Sequence, residues 1–313
     1  MSRALPVAVI AGLFALQFVL GDYHHTNMAR ILTLACFAVG YNIAFGMTGL
    51  LSLGHAMLFA AGVYGAGFAA ELGGQPLPVA FAAGVAAGAG LALVVGLVAL
   101  RTTGVAFMIV TLMFAQAAFL TILHFNAVTR GDEGFVIAEA ARRWTFAGVT
   151  VDAADPTFRY NAALAIFAIG YATHLALARS AIGRVLVGIR ENEERARMLG
   201  YDPYRYRLLA LVVSGALAGM AGAAYALLFA YVGATFASTQ YSIYPLLWVL
   251  LGGAGTALGP LIGTGVMFHL VDRLSGITSS YLILVGIALI VLVVLFPKGI
   301  LGALGERLKG RAP

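Results

Sequence analysis

The chain has 313 residues, of which 61% are hydrophobic and 10% are charged, and its mean hydropathy is +0.95. So few polar residues cannot cover the surface of a soluble globular domain, which excludes that class of protein. The formal net charge is +6, but the basic residues stand at the ends of apolar runs, as in membrane proteins, and this argues against nucleic acid as a partner. The single cysteine, Cys36, excludes an intrachain disulfide.

The apolar runs have the length of membrane-spanning helices and predict an all-α polytopic membrane protein with about ten transmembrane helices. In chain order, the predicted spans cover residues 4–20, 30–47, 51–70, 78–100, 104–124, 160–178, 208–232, 243–258, 260–272 and 280–296. The first run follows Arg3 like the apolar part of a signal peptide, but no small-x-small cleavage site precedes Gly21. We therefore expect it to be a retained span.

The distribution of charge among the connectors predicts the topology. With the N-terminus inside, the inside segments hold 13 basic and five acidic residues, and the outside segments hold six basic and eight acidic ones. The positive-inside rule then places both termini and residues 179–207 in the cytoplasm. Residues 125–160 are predicted to form an extracytoplasmic loop.

Two glycine-rich segments interrupt the predicted spans, at Gly46–His55 and at Gly252–Pro260. Spans two to five start outside and spans seven to ten start inside, so we expect an inverted repeat whose unwound helices meet near the midplane. The alternatives are that the glycines only permit close helix packing and that Asn42 only bonds between helices. If the two segments belong to an inverted repeat, we expect them to line a translocation path. Its residues would be Asn42, Thr48, Gly49, Ser52, Gly54, His55, Gly252, Gly253, Gly255, Thr256, Gly259 and Pro260.

Residues 180–200 are densely charged and predict a short helix that is capped by Ser180 and ends at Gly200. Two i,i+4 pairs place the acid first, which supports a helix, Glu191–Arg195 and Glu193–Arg197. An apolar stripe lies beside them, formed by Ile189, Ala196 and Leu199. Because no soluble domain of the chain is there to cover this stripe, the pattern favours a docking surface for a partner. The alternative is a solvated helix.

Three groups of motifs occur together in the chain. The first is Gly49-Leu50-Leu51-Ser52-Leu53-Gly54-His55-Ala56. The second comprises Gly183, Ile189-Arg190-Glu191-Asn192-Glu193, Ala196 and Gly200. The third comprises Leu251-Gly252-Gly253-Ala254-Gly255-Thr256, Gly259-Pro260 and Phe296-Pro297-Lys298-Gly299. In this order they resemble the branched-chain amino acid ABC transporter permeases over residues 35–303, so residues 1–313 are expected to form a single transmembrane permease domain.

The resemblance implies roles and partners. Residues 179–207 would form a cytoplasmic coupling loop that inserts into a cleft of an ATPase subunit through Gly183, Arg190, Glu191, Asn192, Glu193, Ala196 and Gly200. The implied partners are a homologous second permease, two ABC ATPase subunits, an extracytoplasmic solute-binding protein and the lipid of a bacterial inner membrane. The implied cargo is a branched-chain amino acid or a related small solute.

The sequence contains no ATPase, metal-binding or hydrolase motif. It has no Gly-x-x-x-x-Gly-Lys-Ser/Thr loop, because its two lysines, Lys298 and Lys309, stand in other contexts. We therefore expect that the chain is not an enzyme, that it holds no cofactor and that ATP–Mg binds to partner subunits. The histidines lack ligand spacing, so no metal is expected. Ser214 and His55 could supply a nucleophile and a base, but no hydrolase motif surrounds them.

The alternative function is that of a secondary transporter or channel for a small neutral solute such as urea or an amide. Ion-driven carriers usually bury an ionisable group within the bilayer. The acidic residues of this chain avoid the middle of the predicted spans, and Glu71 and Asp272 stand at span ends. This distribution argues against proton coupling.

Overall fold

The computed structural model describes residues 4–19, 21–146, 149–277, 281–295 and 299–303. The first helices are α1 (Ala4–Leu16), α2 (Asp22–Asn42), α3 (His55–Glu71), α4 (Leu77–Ala99), α5 (Gly104–His124) and α6 (Asn126–Thr129). The later helices are α7 (Pro156–Arg179), α8 (Ala181–Glu191), α9 (Glu193–Met198), α10 (Pro203–Phe229), α11 (Thr239–Gly252), α12 (Gly259–Ser275) and α13 (Tyr281–Leu295). A π-helical turn, Ile43–Met47, extends α2.

Five helical segments are long and apolar enough to cross a membrane, Tyr23–Met47, Leu77–Ala99, Gly104–His124, Pro156–Arg179 and Pro203–Phe229. The prediction of a helical membrane protein is therefore confirmed. The count of ten spans is not, because α1, α3, α11, α12 and α13 have 13 to 17 residues each. The two ends of the chain, with Arg3, Glu306, Arg307, Lys309 and Arg311, and residues 296–298 of the last motif lie outside the described residues.

Some predicted boundaries differ from the observed ones for local reasons. The second span begins at Asp22 and so includes Arg30, which the charge pattern had placed at its outer edge. The predicted span 243–258 ends at Gly252, because Gly253 adopts φ +117°, a conformation that is closed to other residues and ends the helix.

Two short antiparallel ribbons were not foreseen in the apolar pattern. Strand β1 (Phe135–Val136) pairs with β4 (Tyr231–Val232), so the loop after α6 is joined to the end of α10. Strand β2 (Arg143–Phe146) pairs with β3 (Val149–Asp152) just before α7. Since α7 runs from this hairpin to α8, and α10 runs from α9 to β4, the ribbons and the α8–α9 segment lie at opposite ends of the bundle.

Small residues let α10 approach α3 and α4 closely. A Cβ atom on Gly62 would lie 2.2 Å from the carbonyl oxygen of Gly219, and one on Gly88 would lie 2.6 Å from that of Gly215. Close packing through small residues is the usual basis of helix association in a membrane. The packing interpretation therefore accounts for these glycines, while the glycines of the two interrupted segments have different surroundings.

Candidate functional site

The first interrupted segment begins where α2 changes into its π-helical turn. This turn ends at Thr48, and Gly49 adopts φ +73° before the chain runs without helix to His55. The second interrupted segment runs from Gly253 to Leu258, between α11 and α12. π-Helical turns inside α-helices occur frequently at functional sites. We call residues 43–54 the first break and residues 253–258 the second break.

Asn42 joins the two breaks. Its side-chain Nδ2 donates to the carbonyl oxygen of Thr256 at 2.9 Å, and its Oδ1 accepts from the backbone nitrogen of Gly255 at 2.8 Å. The Asn42 side chain is completely buried, while its partners Gly255 and Thr256 are exposed and half-buried. A buried side-chain amide that satisfies two backbone groups of a distant loop fixes the position of that loop. The two predicted segments therefore lie side by side.

The conformation of the second break is stabilised by hydrogen bonds of its own residue Thr256. The Thr256 hydroxyl donates to the carbonyl oxygen of Gly253 at 2.7 Å and accepts from the backbone nitrogen of Gly259 at 3.1 Å. A Cβ atom on Gly252 would lie 1.8 Å from the carbonyl oxygen of Gly259. Pro260, in the first turn of α12, is buried. Glycine at Gly252 and Gly259 therefore permits a contact that no other residue would allow.

Side chains form hydrogen bonds with the backbone N–H and C=O groups of the first break that no helix pairs. The hydroxyl of Tyr41 donates to the carbonyl oxygen of Ser52 at 3.1 Å, and the Ser52 hydroxyl accepts from the backbone nitrogen of Gly54 at 3.2 Å. The Thr111 hydroxyl accepts from the backbone nitrogen of Leu53 at 3.2 Å. Non-helical backbone at membrane depth is tolerated only where it is buried in protein or lines a water-filled cavity. Here the protein itself supplies the partners.

Thr48 and Gly54 also lie inside the protein. The Thr48 hydroxyl donates to the carbonyl oxygen of Ala44, one turn earlier in the π-helical turn, and is buried. A Cβ atom on Gly54 would lie 2.4 Å from the carbonyl oxygen of Thr111. The predicted path residues of the first break thus pack tightly in this conformation, with only Gly49 exposed.

His55 and Ser214 form a buried pair that does not have the arrangement of a hydrolase. His55 Nε2 lies 2.8 Å from Ser214 Oγ, and that hydroxyl donates to the carbonyl oxygen of Gly40 at 2.6 Å. A serine has one hydroxyl proton, so it must accept from His55 and cannot be deprotonated by it. Both side chains have no exposed surface. The pair therefore links α3 to α10 and α2.

The sequence reasoning missed several polar groups that hold the first break. Tyr41, Thr111 and Ser214 were not assigned to it, and neither was Ser242, whose hydroxyl accepts from the backbone nitrogen of Ala56 at 3.0 Å. The available signal was a set of isolated polar residues within apolar helices, which usually face other helices. Within the described part of the chain, no group of three or more His, Cys, Asp or Glu side chains could hold a metal ion.

The predicted single helix over residues 180–200 is in fact two helices, α8 and α9. Asn192 separates them with an extended backbone, φ −158° and ψ 104°, and its Oδ1 caps α9 by accepting from the backbone nitrogen of Arg195 at 2.8 Å. Because Asn192 breaks the helix, Glu191 and Arg195 do not share one helical face. The N-cap preference of asparagine explains the break.

Glu193 ties α9 to α10. Its carboxylate pairs with Arg197 at 2.7 Å and with Arg207 at 2.7 Å. Partial burial alone would raise the pKa of Glu193, but Arg207 and Arg197 together lower it below its usual range. Glu193 therefore stays ionised, and its ion pairs are formed with residues of the same chain.

The apolar stripe is also distributed differently from the prediction. Ile189 and Ala196 are buried, and a Cβ atom on Gly183 would lie 2.0 Å from the carbonyl oxygen of Leu177, so these three residues pack within the chain. The exposed apolar residues are instead Met198, 85% exposed, and Leu199, 70% exposed. They immediately precede Gly200, which adopts φ +86° and has open space where a Cβ would project.

A groove of about 320 Å³ separates α8 from α9. Its walls include Ile182, Val185 and Gly188 of α8, and Ala196, Leu199 and Tyr201. We call this groove, together with Met198, Leu199 and Gly200, the coupling surface. Exposed apolar side chains beside a groove are typical of a protein interaction site.

Arg190 points from α8 toward both breaks. Its Nη1 donates to the carbonyl oxygen of Gly46 in the π-helical turn. Its Cγ would lie 3.0 Å from a Cβ on Gly49, and its Nη1 would lie 3.5 Å from a Cβ on Gly255. Both of these glycines have positive φ angles. One arginine of α8 therefore bonds to the first break and lies close to Gly255 of the second break.

Comparison with known proteins places most of the chain in one family. The family described as branched-chain amino acid transport system, permease component, matches residues 26–295. Two curated relatives are the high-affinity branched-chain amino acid transport system permease proteins LivM of Salmonella typhimurium and of Escherichia coli. Each is 26% identical over 298 residues, which cover 87% of this chain and 68% of the relative.

A third relative is the probable branched-chain amino acid transport permease protein LivM of Methanocaldococcus jannaschii. It is 33% identical over 88 residues, which cover 28% of this chain and 26% of the relative. No solved structure matches the chain. Because the family match extends over most of the sequence, the chain belongs to the branched-chain amino acid ABC transporter permeases and is a multi-pass protein of the bacterial inner membrane.

Proposed function

We propose that the chain is the permease subunit of an ATP-driven importer for branched-chain amino acids or related small solutes. It forms half of the translocation path and is driven by separate ATPase subunits. The observation that carries this proposal is the contact of Arg190 with both breaks, because it connects an exposed cytoplasmic surface to the irregular backbone within the bundle. The family match supports the same function.

We place ten helices in the membrane as an inverted repeat, with both termini in the cytoplasm. The positive-inside rule supports this orientation, since it assigns seven arginines of residues 179–207 to the inside. The loop at residues 125–160 then faces the outside, at the end of the bundle opposite to α8 and α9. A helix–break–helix unit in each half is the arrangement expected of such a repeat.

The coupling surface is proposed to dock in a cleft of the ATPase. Met198, Leu199 and Gly200 make the direct apolar contact, because Met198 and Leu199 are the exposed large apolar side chains of α9 and the turn after it. Gly183, Asn192, Glu193 and Ala196 shape the segment, through packing, capping and the ion pairs of α9. Glu191 is exposed and is proposed to contact the ATPase directly. Arg190 acts on the inner side and transmits a movement of α8 to the breaks.

The two breaks are proposed to form the gate of the translocation path. The bonds of Asn42 to Gly255 and Thr256 hold them together, and the path opens when these bonds and the Arg190 contact separate. The exposed backbone groups of the separated breaks would then meet the ammonium and carboxylate of a zwitterionic solute. A transient route of this kind does not require tight binding.

The remaining components are proposed to be a homologous second permease, two ABC ATPase subunits that bind ATP–Mg, and an extracytoplasmic solute-binding protein. The absence of a Gly-Lys-Ser/Thr loop from the sequence supports the assignment of ATP hydrolysis to other subunits. In this account the chain is not itself an enzyme.

Uptake assays in cells that lack the chain and its proposed partner subunits test which solute is imported. Radiolabelled leucine, isoleucine and valine should enter only after the chain and its partner subunits are restored, and unlabelled urea or an amide should not compete. Uptake of radiolabelled urea or of an amide, with no uptake of the three amino acids, would contradict the proposed cargo.

A further inference from the structure

Three arginines gather at the end of the bundle opposite to the coupling surface. Arg30 of α2 and Arg159 of α7 both lie over the ring of Phe229, with guanidinium carbons 5.2 Å and 5.5 Å from its centroid. Arg142, just before β2, is close enough to act electrostatically on Arg159. We call Arg30, Arg142 and Arg159 the arginine cluster. Like charges held together repel one another, so such a cluster favours the binding of an anion.

The neighbouring carboxylates are already engaged by other groups. Glu139 and Asp152 both pair with Arg143, the latter at 2.9 Å. Asp155 acts electrostatically on Arg159, but its side chain caps α7 by accepting from the backbone nitrogen of Phe158 at 2.9 Å. Asp152 also acts electrostatically on Arg142, but among the described side chains no ion pair joins a carboxylate to the cluster.

Two nitrogens of the cluster are buried without an acceptor. These are the Nε atoms of Arg142 and Arg159, which make no hydrogen bond to the part of the chain that the structure describes. Burying a guanidinium nitrogen without an acceptor is unfavourable. An oxyanion at this place would supply acceptors to several guanidinium groups at once, which is the mode in which arginines bind phosphate.

An apolar groove of about 230 Å³ begins at the same segment of chain. Its lining includes Leu77, Phe81, Trp144, Ala153, Phe158 and Leu228. The backbone nitrogen of Ala153 donates to the carbonyl oxygen of Arg142 at 3.2 Å. The next residue, Ala154, accepts from Nη2 of Arg159 at 3.2 Å. The backbone of Arg142 and the guanidinium of Arg159 therefore lie beside Ala153, a lining residue of the groove, and its neighbour Ala154.

The groove lies among helices that are long enough to span the membrane. Its walls come from α4, α7 and α10, together with the β2–β3 hairpin. Its lining is apolar and includes Trp144 of the β2–β3 hairpin. Tryptophan is enriched at membrane interfaces. A basic end above an apolar groove matches the two parts of one molecule, a charged headgroup and an acyl chain.

We propose that this end of the chain binds an anionic phospholipid, with its phosphate against the arginine cluster and one acyl chain in the groove. The site also explains a departure from the positive-inside rule. Six basic residues fall in the predicted outside segments, and three of them converge on one place. A bound anion would offset their repulsion. The site is separate from the coupling surface and from the breaks.

Quenching of Trp144 by lipids with brominated acyl chains tests this site. The chain has two tryptophans, so a Trp248→Phe variant of the full-length protein leaves Trp144 as the reporter. Phosphatidylglycerol should quench at lower concentration than phosphatidylcholine with the same chains. Arg30→Gln and Arg142→Gln should each weaken phosphatidylglycerol binding about fivefold, as expected for roughly 1 kcal/mol per arginine near a lipid surface. Phosphatidylcholine binding should not change.

Arg273→Gln is the matched control, because Arg273 is an exposed arginine near the same end of the bundle, in the last turn of α12, and it should leave the lipid preference intact. Equal quenching by the two lipids would overturn the site. Displacement of phosphatidylglycerol by inorganic phosphate at matched ionic strength would mean that the cluster binds a free anion, and it would overturn the proposal of a lipid site. A loss of preference in Arg273→Gln equal to that in Arg30→Gln would show a general surface-charge effect and would also overturn it.

Discussion

In the proposed mechanism, Arg190 transmits a movement of α8 to the two breaks. Its guanidinium bonds to Gly46, and its side chain lies against Gly49 and Gly255. A hydrogen bond from a charged group to a backbone carbonyl contributes roughly 1.5–3 kcal/mol. This contact therefore has enough energy to bias an equilibrium between a closed and an open gate.

Substitution of Arg190 should separate ATP hydrolysis from transport. We expect Arg190→Gln to lower the amount of solute imported per ATP hydrolysed by about tenfold, since a loss of about 1.4 kcal/mol changes an equilibrium by that factor. Assembly with the ATPase should persist, because Arg190 faces the breaks. Arg101→Gln, which removes another exposed arginine, is the control and should leave the ratio unchanged. An equal fall in both activities would mean that Arg190 serves only to assemble the complex.

Gly252, the last residue of α11 before the second break, should be sensitive to a single added methyl group. Gly252→Ala would bring its Cβ against the carbonyl oxygen of Gly259, and overpacking of this kind costs roughly 1–3 kcal/mol. We expect Gly252→Ala to abolish uptake while the protein still inserts. Gly84 and Gly88 are unsuitable controls, because each touches backbone of another helix. Gly90→Ala, with open space around the added atom, is the matched control, and wild-type uptake by Gly252→Ala would refute the gate.

At the scale of elements, the coupling surface depends on the separation of α8 from α9. Asn192 produces that separation, and Glu193 then fixes α9 on α10. The result is a groove beside an exposed apolar tip at Met198 and Leu199. We attribute the combination of a buried Ala196 with exposed Met198 and Leu199 to the separate orientation of α9 after Asn192.

A bulky residue at the tip should block docking. We expect Gly200→Trp to abolish uptake and ATPase stimulation while the amount of protein in the membrane stays normal. Gly74→Trp is the control, because Gly74 also has a positive φ and open space but lies in the loop between α3 and α4. Both variants carry the same backbone strain, about 1–2 kcal/mol. Normal uptake by Gly200→Trp would leave the segment as a solvated surface.

The apolar pattern predicted some elements to within one residue and failed at others for physical reasons. The runs at 78–100 and 104–124 correspond to α4 and α5, because hydrophobic length alone defines a helix that is mostly exposed to its surroundings. The end of α11 at Gly252 depends on contacts with Gly259, which lies beyond a turn. Such contacts between separated residues leave no periodic pattern.

The candidate site was likewise predicted only in part. Glycine and polar residue types pointed to the two breaks, and Asn42 was among the residues named. The inward direction of Arg190 was not predictable, because in the sequence it belongs to a run of charges that resembles a solvated face. Ala196 was expected outside and is buried, since the break at Asn192 turns α9 relative to α8.

At the scale of the whole molecule, the proposed orientation predicts which loops face the cell exterior. A cysteine at Asp132, with Cys36 replaced by alanine, should react with an impermeant thiol reagent in intact cells. A cysteine at Arg195 should react only after the cells are opened. Both positions are exposed, so the difference reports the side of the membrane. The reverse labelling pattern would invert the topology and remove the coupling surface from the cytoplasm.

We propose that ATP hydrolysis by partner subunits moves a solute through a gate formed by the two breaks. The most direct test is valine uptake into proteoliposomes that contain the chain, its second permease and the ATPase subunits, with the solute-binding protein on the side opposite to ATP. We predict saturable uptake that requires ATP and falls about tenfold in the Arg190→Gln variant. Equal uptake without ATP, driven by an ion gradient alone, would contradict the account.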